Sequence, residues 1–300
     1  MKVVIAGSSG FLGTALRAAL AEHGHDVTRL VRGEAPAATA SRWDPARGQV
    51  DQSVIESADV VVNVAGAPII RPWTAATREA IRSSRVSATR TLARAVAGCD
   101  APPVLLAQSG TDWYGVGHGD TVLDESADTV GDALLARVTS EVEDATAEAD
   151  QAGARVCQLR TGAVLDRRAG AMKLMLPFFR LGVAGRVGDG SQYFPVISLR
   201  DWVRAVLHLA QTDSARGPHN LVAPEPPTNA EFTAAMGQAL HRPTKVAMPA
   251  VVFEKAFGEL SQVLLNSLRV APAKLQAEGF TFTDRTVDDV VAAALGRSGG

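Results

Sequence analysis

The sequence predicts an α/β chain: a doubly wound parallel sheet joined to a smaller, mixed, mostly helical C-terminal region. Three observations predict it. Lys2–Ala6 is a short apolar, β-branched run that passes at once into a glycine-spaced turn and then a helical pattern. Strand-like and helix-like segments then alternate as far as Gly162, the order that builds a parallel sheet with helices on both faces. After Gly162 the alternation stops, and short helices, glycines and one short strand take over.

The elements follow in order. The helix after the glycine turn reads Thr14-Ala15-Leu16-Arg17-Ala18-Ala19-Leu20. Asp26–Val31 is the second strand, and a short third one ends at Trp43-Asp44-Pro45 after an Ala-rich loop. Ser53–Ser57 is a short helix. Asp59–Gly66 reads as a strand apolar on both faces that runs into a small-residue turn. Thr74 is placed to cap a long helix reaching about Gly98. Val104–Gln108 is the fifth strand; Asp132 is placed to cap a helix from Ala133 to about Ala152, and Arg155–Leu159 is the sixth strand. Beyond it come helices at Met172–Phe179 and Leu199–Ala210, a strand at Pro218–Val222, and a helix at Glu231–Leu240 capped by Thr228. Val251–Leu268, Pro272–Glu278 and Asp284–Leu295 also read as helical. The glycines between Gly182 and Gly190 suggest a flexible segment. The expected division is residues 1–165 with elements returning from about 196–222, and a substrate-side region over 166–300.

Composition narrows the function. With 46% hydrophobic and 21% charged residues the chain can build a substantial core. A net charge of −2 with scattered arginines gives no electrostatic footprint for nucleic acid or an anionic membrane. No apolar run is long enough to span a bilayer, and the chain enters a strand at once, without a signal peptide. Cys99 and Cys157 offer neither metal spacing nor a disulfide framework, so a reducing cytoplasm is expected and no metal site. The expected partner is a small-molecule substrate, and a homodimer is allowed.

The turn Gly7-Ser8-Ser9-Gly10-Phe11-Leu12-Gly13 carries the chemistry. Gly7 permits the tight exit from the strand. Gly10 lets a pyrophosphate approach the backbone, and Gly13 lets the helix pack on the strand. The helix N-terminus offers free N–H groups and its positive dipole end. The spacing is Gly-x-x-Gly-x-x-Gly, one residue wider at the start than Gly-x-Gly-x-x-Gly. Ser9, Phe11 and Leu12 complete the cradle. At the end of the second strand, Arg32 suits a 2′-phosphate and so favours NADP over NAD, while Glu34 nearby keeps NAD open. Asn63, Ala65 and Gly66 follow a buried strand whose carboxyl end should line the cofactor. Arg71, Arg78, Arg82 and Arg85 have spacings that share a helix face; most such stripes are solvated, but one arginine, with Arg85 in view, could meet a phosphate or carboxylate.

These motifs resemble the short-chain dehydrogenase/reductase superfamily in its extended, epimerase-like form. The resemblance rests on the glycine turn, on Asn63-Val64-Ala65-Gly66 and on Trp113-Tyr114-Gly115. Within it the chain is similar to a family described as NAD-dependent or sugar-nucleotide epimerases and sometimes labelled cell-division inhibitors. The matching stretches are Arg42-Trp43-Asp44-Pro45, Ser84-Arg85-Val86, Leu159-Arg160-Thr161-Gly162 and Thr228–Phe232. A small C-terminal domain of unknown function, at about 248–297, is matched by Arg269–Leu275 and Glu278–Phe282. The resemblance implies a Rossmann fold, a nicotinamide nucleotide and oxidoreductase or epimerase chemistry.

The departures inform as much as the matches. The superfamily's acid/base Tyr and its Lys lie at Tyr-x-x-x-Lys on the helix after the fifth strand. Here that helix reads Ala133–Ser140 without either residue, and its helper Ser falls on Gly110. The remaining candidates are Tyr114 first, then Thr111, Asp112 and Ser109; burial would fit Asp112 to act as a base. The substrate side is expected from Arg71–Trp73, Met172–Phe179 and Gly185–Phe194. The reading is an NADP-dependent oxidoreductase or epimerase with an altered acid/base; the alternative is a non-catalytic NADP(H)-binding sensor or partner-binding protein.

Overall fold

The computed structural model describes residues 1–34, 38–244, 247, 249 and 265–297. Eleven strands are placed among them: β1 Lys2–Ala6, β2 Asp26–Val31, β3 Ala40–Arg42, β4 Val60–Asn63, β5 Val104–Gly110, β6 Val122–Leu123, β7 Val156–Thr161, β8 Ala163–Leu165, β9 Val196–Ser198, β10 Gly217–Leu221 and β11 Arg269–Val270. Seven form one parallel sheet in the order β10-β7-β5-β4-β1-β2-β3. The strand order reverses between β1 and β4, and in open sheets of this kind ligands bind outside the carboxyl ends of the strands at that point.

The helices are α1 Phe11–Glu22, α2 Gln52–Glu56, α3 Ala75–Ala97, α4 Leu134–Asp144, α5 Ala147–Gln151, α6 Gly170–Arg180, α7 Leu199–Gln211, α8 Asn229–Leu240, α9 Ala273–Ala277 and α10 Val287–Ala294. Alternation along β1 sorts them into layers. Val3 and Ile5 point to one face and pack with Leu16 and Leu20 of α1 and Trp202 and Val206 of α7. Val4 and Ala6 point to the other and pack with Ile55 of α2 and with Leu92 and Val96 of α3. A separate core joins α6, α8 and α10 through Leu176, Phe179, Phe232, Met236 and Val291, beside the small parallel pair β8–β9. Among the described residues no helix is long and apolar enough to cross a membrane.

The caps at Thr74 and Thr228 form as the sequence predicts, the latter as a full capping box with Glu231. Asp132 does not cap α4, which starts one residue later from Ala133 without a side-chain cap. That helix also stops at Asp144 rather than near Ala152. The Thr146 hydroxyl donates to the Glu143 carbonyl and accepts from Gln158 of β7, so the sheet holds the chain where the helix breaks. The glycine segment 182–190 is stitched to α8, not loose: Val187 N–H donates to Asn229 Oδ1, and Ala230 N–H to the Gly190 carbonyl. The helix expected over Val251–Leu268 lies largely outside the described residues.

The C-terminal stretch is tied to α7 by charge. The Asp201 carboxylate is 0% exposed and accepts from the backbone N–H groups of Thr283 and Asp284 and from Arg204. Asp284 in turn accepts from Ser198 and Arg200. Asp201→Ala leaves the buried Asp284 N–H and the Thr283 N–H without their acceptor, at about 1–3 kcal/mol for the buried group. Urea unfolding of that variant should show a loss of this size.

Candidate functional site

The glycine turn lies at the strand-order reversal. Gly7 has φ +84°, and a Cβ there would come 2.6 Å from the Val64 carbonyl carbon. The turn after β1 therefore touches the turn after β4 backbone to backbone. A Cβ on Gly13 would overlap the Gly7 carbonyl, so close helix–strand packing forbids one. Gly10 differs: a Cβ there meets only the Gly7 carbonyl oxygen, at 3.3 Å. Packing restricts that position less than Gly7 or Gly13, asking the Gly7 carbonyl to give by a few tenths of an ångström. α1, like α4, α5, α6 and α9, has no side-chain cap; it starts from Gly10, so its first N–H groups are left for a ligand beside the glycine turn. A bare, uncapped helix start with the exposed Ser9 and half-buried Phe11 and Leu12 around it fits a pyrophosphate. Arg32 follows β2 directly, exposed and without an ion pair among the described residues.

Beyond β4 the expectation for Asn63 needs correction. Its side chain is 2% exposed, donates to Thr89 Oγ1 of α3 and accepts from Ala65 N–H. It shapes the turn rather than facing the crevice. Half-buried Ala65 and exposed Gly66 are what that turn presents. Of the arginine stripe, Arg82 turns outward to Glu141 at 2.6 Å. Arg85 turns inward, donating from Nη1 to the carbonyls of Ala67 and Ile81.

After β5, residues Thr111–Tyr114 form a single 3-10 turn carrying three of the four catalytic candidates. A buried network grips it. Arg160 of β7, 3% exposed, makes two hydrogen bonds to Glu143 of α4, and Ser109 Oγ donates to the same carboxylate. The Arg160 guanidinium carbon lies 3.4 Å from the Trp113 ring centroid. Ser109 is thus committed to structure. Tyr114, the leading candidate of the sequence, is 1% exposed; its hydroxyl sits 2.9 Å from Asn220 Oδ1 and 3.0 Å from the Asp124 carbonyl. Burial pushes its phenol up, away from a role near neutral pH, against the pull of Arg160. Thr111 is buried. His118 bonds the Tyr114 carbonyl through Nε2 at 2.6 Å.

Asp112 is different. Burial pushes its carboxyl to about 6, opposed by its own backbone N–H and by the Arg85 charge. It opens on a small cavity of about 30 Å³, room for a water or two, lined also by Trp73, Leu134, Leu135 and Ala136. These α4 side chains are apolar, so the helix that carries Tyr and Lys in the superfamily turns no proton donor toward this cavity. The Gly110 position could hold a side chain: a Cβ there lies 3.5 Å from Asp112 Oδ2, an ordinary contact. A wider groove of about 420 Å³ lies between α1 and α7, away from these turns. Its arginines are already paired, Arg168 with Asp166, Arg200 with Asp284 and Arg204 with Asp201. Among the described residues no cluster of His, Cys, Asp or Glu is placed to hold a metal.

Sheet order, glycine turn and uncapped helix together define a doubly wound α/β protein of the extended short-chain dehydrogenase/reductase type. The chain belongs to the NAD dependent epimerase/dehydratase family, which matches residues 3–223; residues 248–294 match a domain of unknown function, DUF1731. It is 40% identical over 300 residues to the epimerase family protein Mb2239 of Mycobacterium bovis, covering 99% of this chain and 98% of that one. The crystal structure of human epimerase family protein SDR39U1 with NADPH superposes with a TM-score of 0.89 at 30% identity, covering 98% of this chain and 99% of that one. A nucleoside-diphosphate sugar epimerase from Corynebacterium glutamicum gives 0.81 at 33% identity, covering 99% of this chain and 58% of that one.

Removing the buried carboxylate at Glu143 strands the Arg160 charge. Glu143→Ala should therefore cost about 3–5 kcal/mol in denaturant unfolding. A loss below about 1 kcal/mol, the range of exposed pairs, would show that water reaches the pair.

Proposed function

We propose that the chain is an NADP-dependent oxidoreductase or epimerase-like enzyme acting on a small molecule, with Asp112 in place of the Tyr-x-x-x-Lys pair. One observation carries the reading: Asp112 is the ionisable side chain of the cavity between the 111–114 turn and α4, and burial brings its carboxyl to about 6. Such a group exchanges protons near neutral pH.

The cradle of Gly7, Ser9, Gly10, Phe11, Leu12 and Gly13 would hold the pyrophosphate, and Arg32 the 2′-phosphate; the human relative crystallised with NADPH supports this choice. Ala65 and Gly66 would line the nucleotide with backbone only. A bound nicotinamide nucleotide supplies or accepts the hydride. Asp112 gives a proton to a carbonyl oxygen in the reducing direction and takes one from a hydroxyl in the oxidising direction. Tyr114 and Ser109 then position the turn, and Thr111 packs beneath it. The nucleotide-binding unit is residues 1–165 with the elements returning at about 196–222; residues 166–300, including a C-terminal domain at about 248–297, supply the substrate side. The buried free cysteines Cys99 and Cys157 suit the reducing cytoplasm. A non-catalytic NADP(H)-binding sensor is the second reading, favoured by the apolar face that α4 turns toward Asp112.

Calorimetric titration should give tighter binding of NADPH than of NADH, with Arg32→Ala weakening NADPH alone by about tenfold or more, the worth of a charged hydrogen bond. Gly10→Val should remove nucleotide binding with little change in stability; retained binding would make the loop a mere turn.

Asp112→Asn should lower turnover by about a hundredfold or more. In the wild type the reducing rate should fall as pH rises through about 6, because the acid must be protonated; the oxidising rate should fall as pH drops through the same value. Full turnover in Asp112→Asn removes this residue from the chemistry.

A further inference from the structure

Arg85, expected from the sequence to meet a phosphate or carboxylate at the cofactor, is not needed for the pyrophosphate and 2′-phosphate contacts proposed above. Its guanidinium lies flat on Gly66: a Cβ at that residue would be 2.8 Å from Cζ, 3.0 Å from Nη2 and 3.1 Å from Nη1. Nη1 is spent on two backbone carbonyls, Ala67 at 3.0 Å and Ile81 at 3.2 Å. No carboxylate contacts the group among the described residues. The buried Arg160, by contrast, has its carboxylate in contact. A guanidinium fixed by neutral acceptors, mostly out of water, keeps its charge available for an anion. The attraction it does feel comes from Asp112 across the opening.

Position favours the substrate side over the nucleotide phosphates. The turn after β4 meets the glycine loop through Val64 and Ala65, where Gly7 abuts it. Arg85 is seated further along, on Gly66 and Ala67, toward the turn after β5 that carries Asp112. Arg85 and Asp112 are thus near enough for their charges to attract, on the turns that follow neighbouring strands β4 and β5.

We propose that Arg85, seated on Gly66, is the oxyanion receptor of the site, and that the substrate is a small molecule bearing a carboxylate next to the carbonyl or hydroxyl on which Asp112 acts. This rests on the preceding reading of Asp112. A substrate carboxylate beside Asp112 repels its ionised form, so the complex forms with Asp112 protonated, the state a reduction needs. The groups facing Asp112 are few. From α3 there is Arg85; from α4, Ala133–Ala136 carry no charge; Trp73, Gly115, Val116 and Asn266 carry none either.

Oxalate serves as the probe, titrated calorimetrically into the full chain with and without saturating NADPH, at about pH 5 and about pH 8, on either side of the Asp112 value. Binding should be tighter at the lower pH by about tenfold or more, for a charge-assisted bond lost to repulsion. Arg85→Gln should weaken oxalate by about tenfold or more while leaving the NADPH affinity unchanged. Arg85→Lys should recover only part of it, because an ammonium cannot offer the planar fork. Asp112→Asn should bind oxalate equally at both pH values. Absence of oxalate binding in the wild type, or unchanged oxalate affinity in Arg85→Gln, overturns the proposal. So does a loss of NADPH affinity in Arg85→Gln, which would make the residue a phosphate ligand of the nucleotide. The oxalate arm without nucleotide stands apart from the preceding reading, which fails instead if NADPH does not bind or if Asp112→Asn keeps its turnover.

Discussion

The site depends on one buried ion pair. Arg160 and Glu143 meet at 2.8 Å with side chains 3% and 13% exposed, where an unpaired charge would be costly. Neither partner can therefore leave the other, and each carries an element with it. Arg160 fixes β7, Glu143 fixes α4, and Ser109 ties the end of β5 to the same carboxylate. Trp113 lies over the guanidinium and Tyr114 edges against Trp113 at 87°. Those two rings hold the turn that carries Asp112. The pair thus sets where the carboxyl sits without touching it.

The same packing explains why the superfamily's acid/base could be lost without loss of fold. α4 needs only to cover the end of β5 and to deliver Glu143. Its inward positions Leu135, Ala136, Val138, Thr139 and Val142 are buried whatever the chemistry. Thr139 spends its hydroxyl on the carbonyls of Leu135 and Ala136, so it leaves no free donor for the crevice. Among the described residues the other side chains lining the Asp112 cavity are uncharged, and burial lifts the Asp112 carboxyl toward neutrality against the pull of Arg85.

The main sheet was legible because its signals are local. β1, β2, β4, β5 and β7 are apolar runs bounded by turns, and Thr74 and Thr228 cap their helices from within four residues. The glycine turn was legible for the same reason. The pairs β6–β11 and β8–β9 were not, since two- and three-residue strands far apart in sequence carry no period. Side-chain surroundings were not legible where burial decides them. Tyr114 reads as an acid/base until Asn220, 106 residues away, accepts its hydroxyl. Asn63 reads as a ligand until Thr89 takes its amide. The inward turn of Arg85 and the outward turn of Arg82 cannot be told apart by spacing, because both fall on a stripe with acidic and carbonyl partners beyond the helix.

Asn220 shows why the C-terminal region is part of the site rather than an attachment to it. Its Oδ1 accepts from Tyr114, its amide donates to the Ala271 carbonyl, and its backbone N–H donates to Glu125. Glu125 also accepts from Lys274 N–H. One residue before Asn220 on β10, buried His219 reaches Glu278 at 3.1 Å. The edge strand of the sheet is thus the shared wall between the 111–114 turn and residues 271–278. With buried polar groups on both sides, displacing the C-terminal stretch would strand Asn220 and Tyr114 together. The turn bearing Asp112 is held from the core side by an ion pair and from the edge by an amide, and the second hold exists only while the C-terminal stretch is docked.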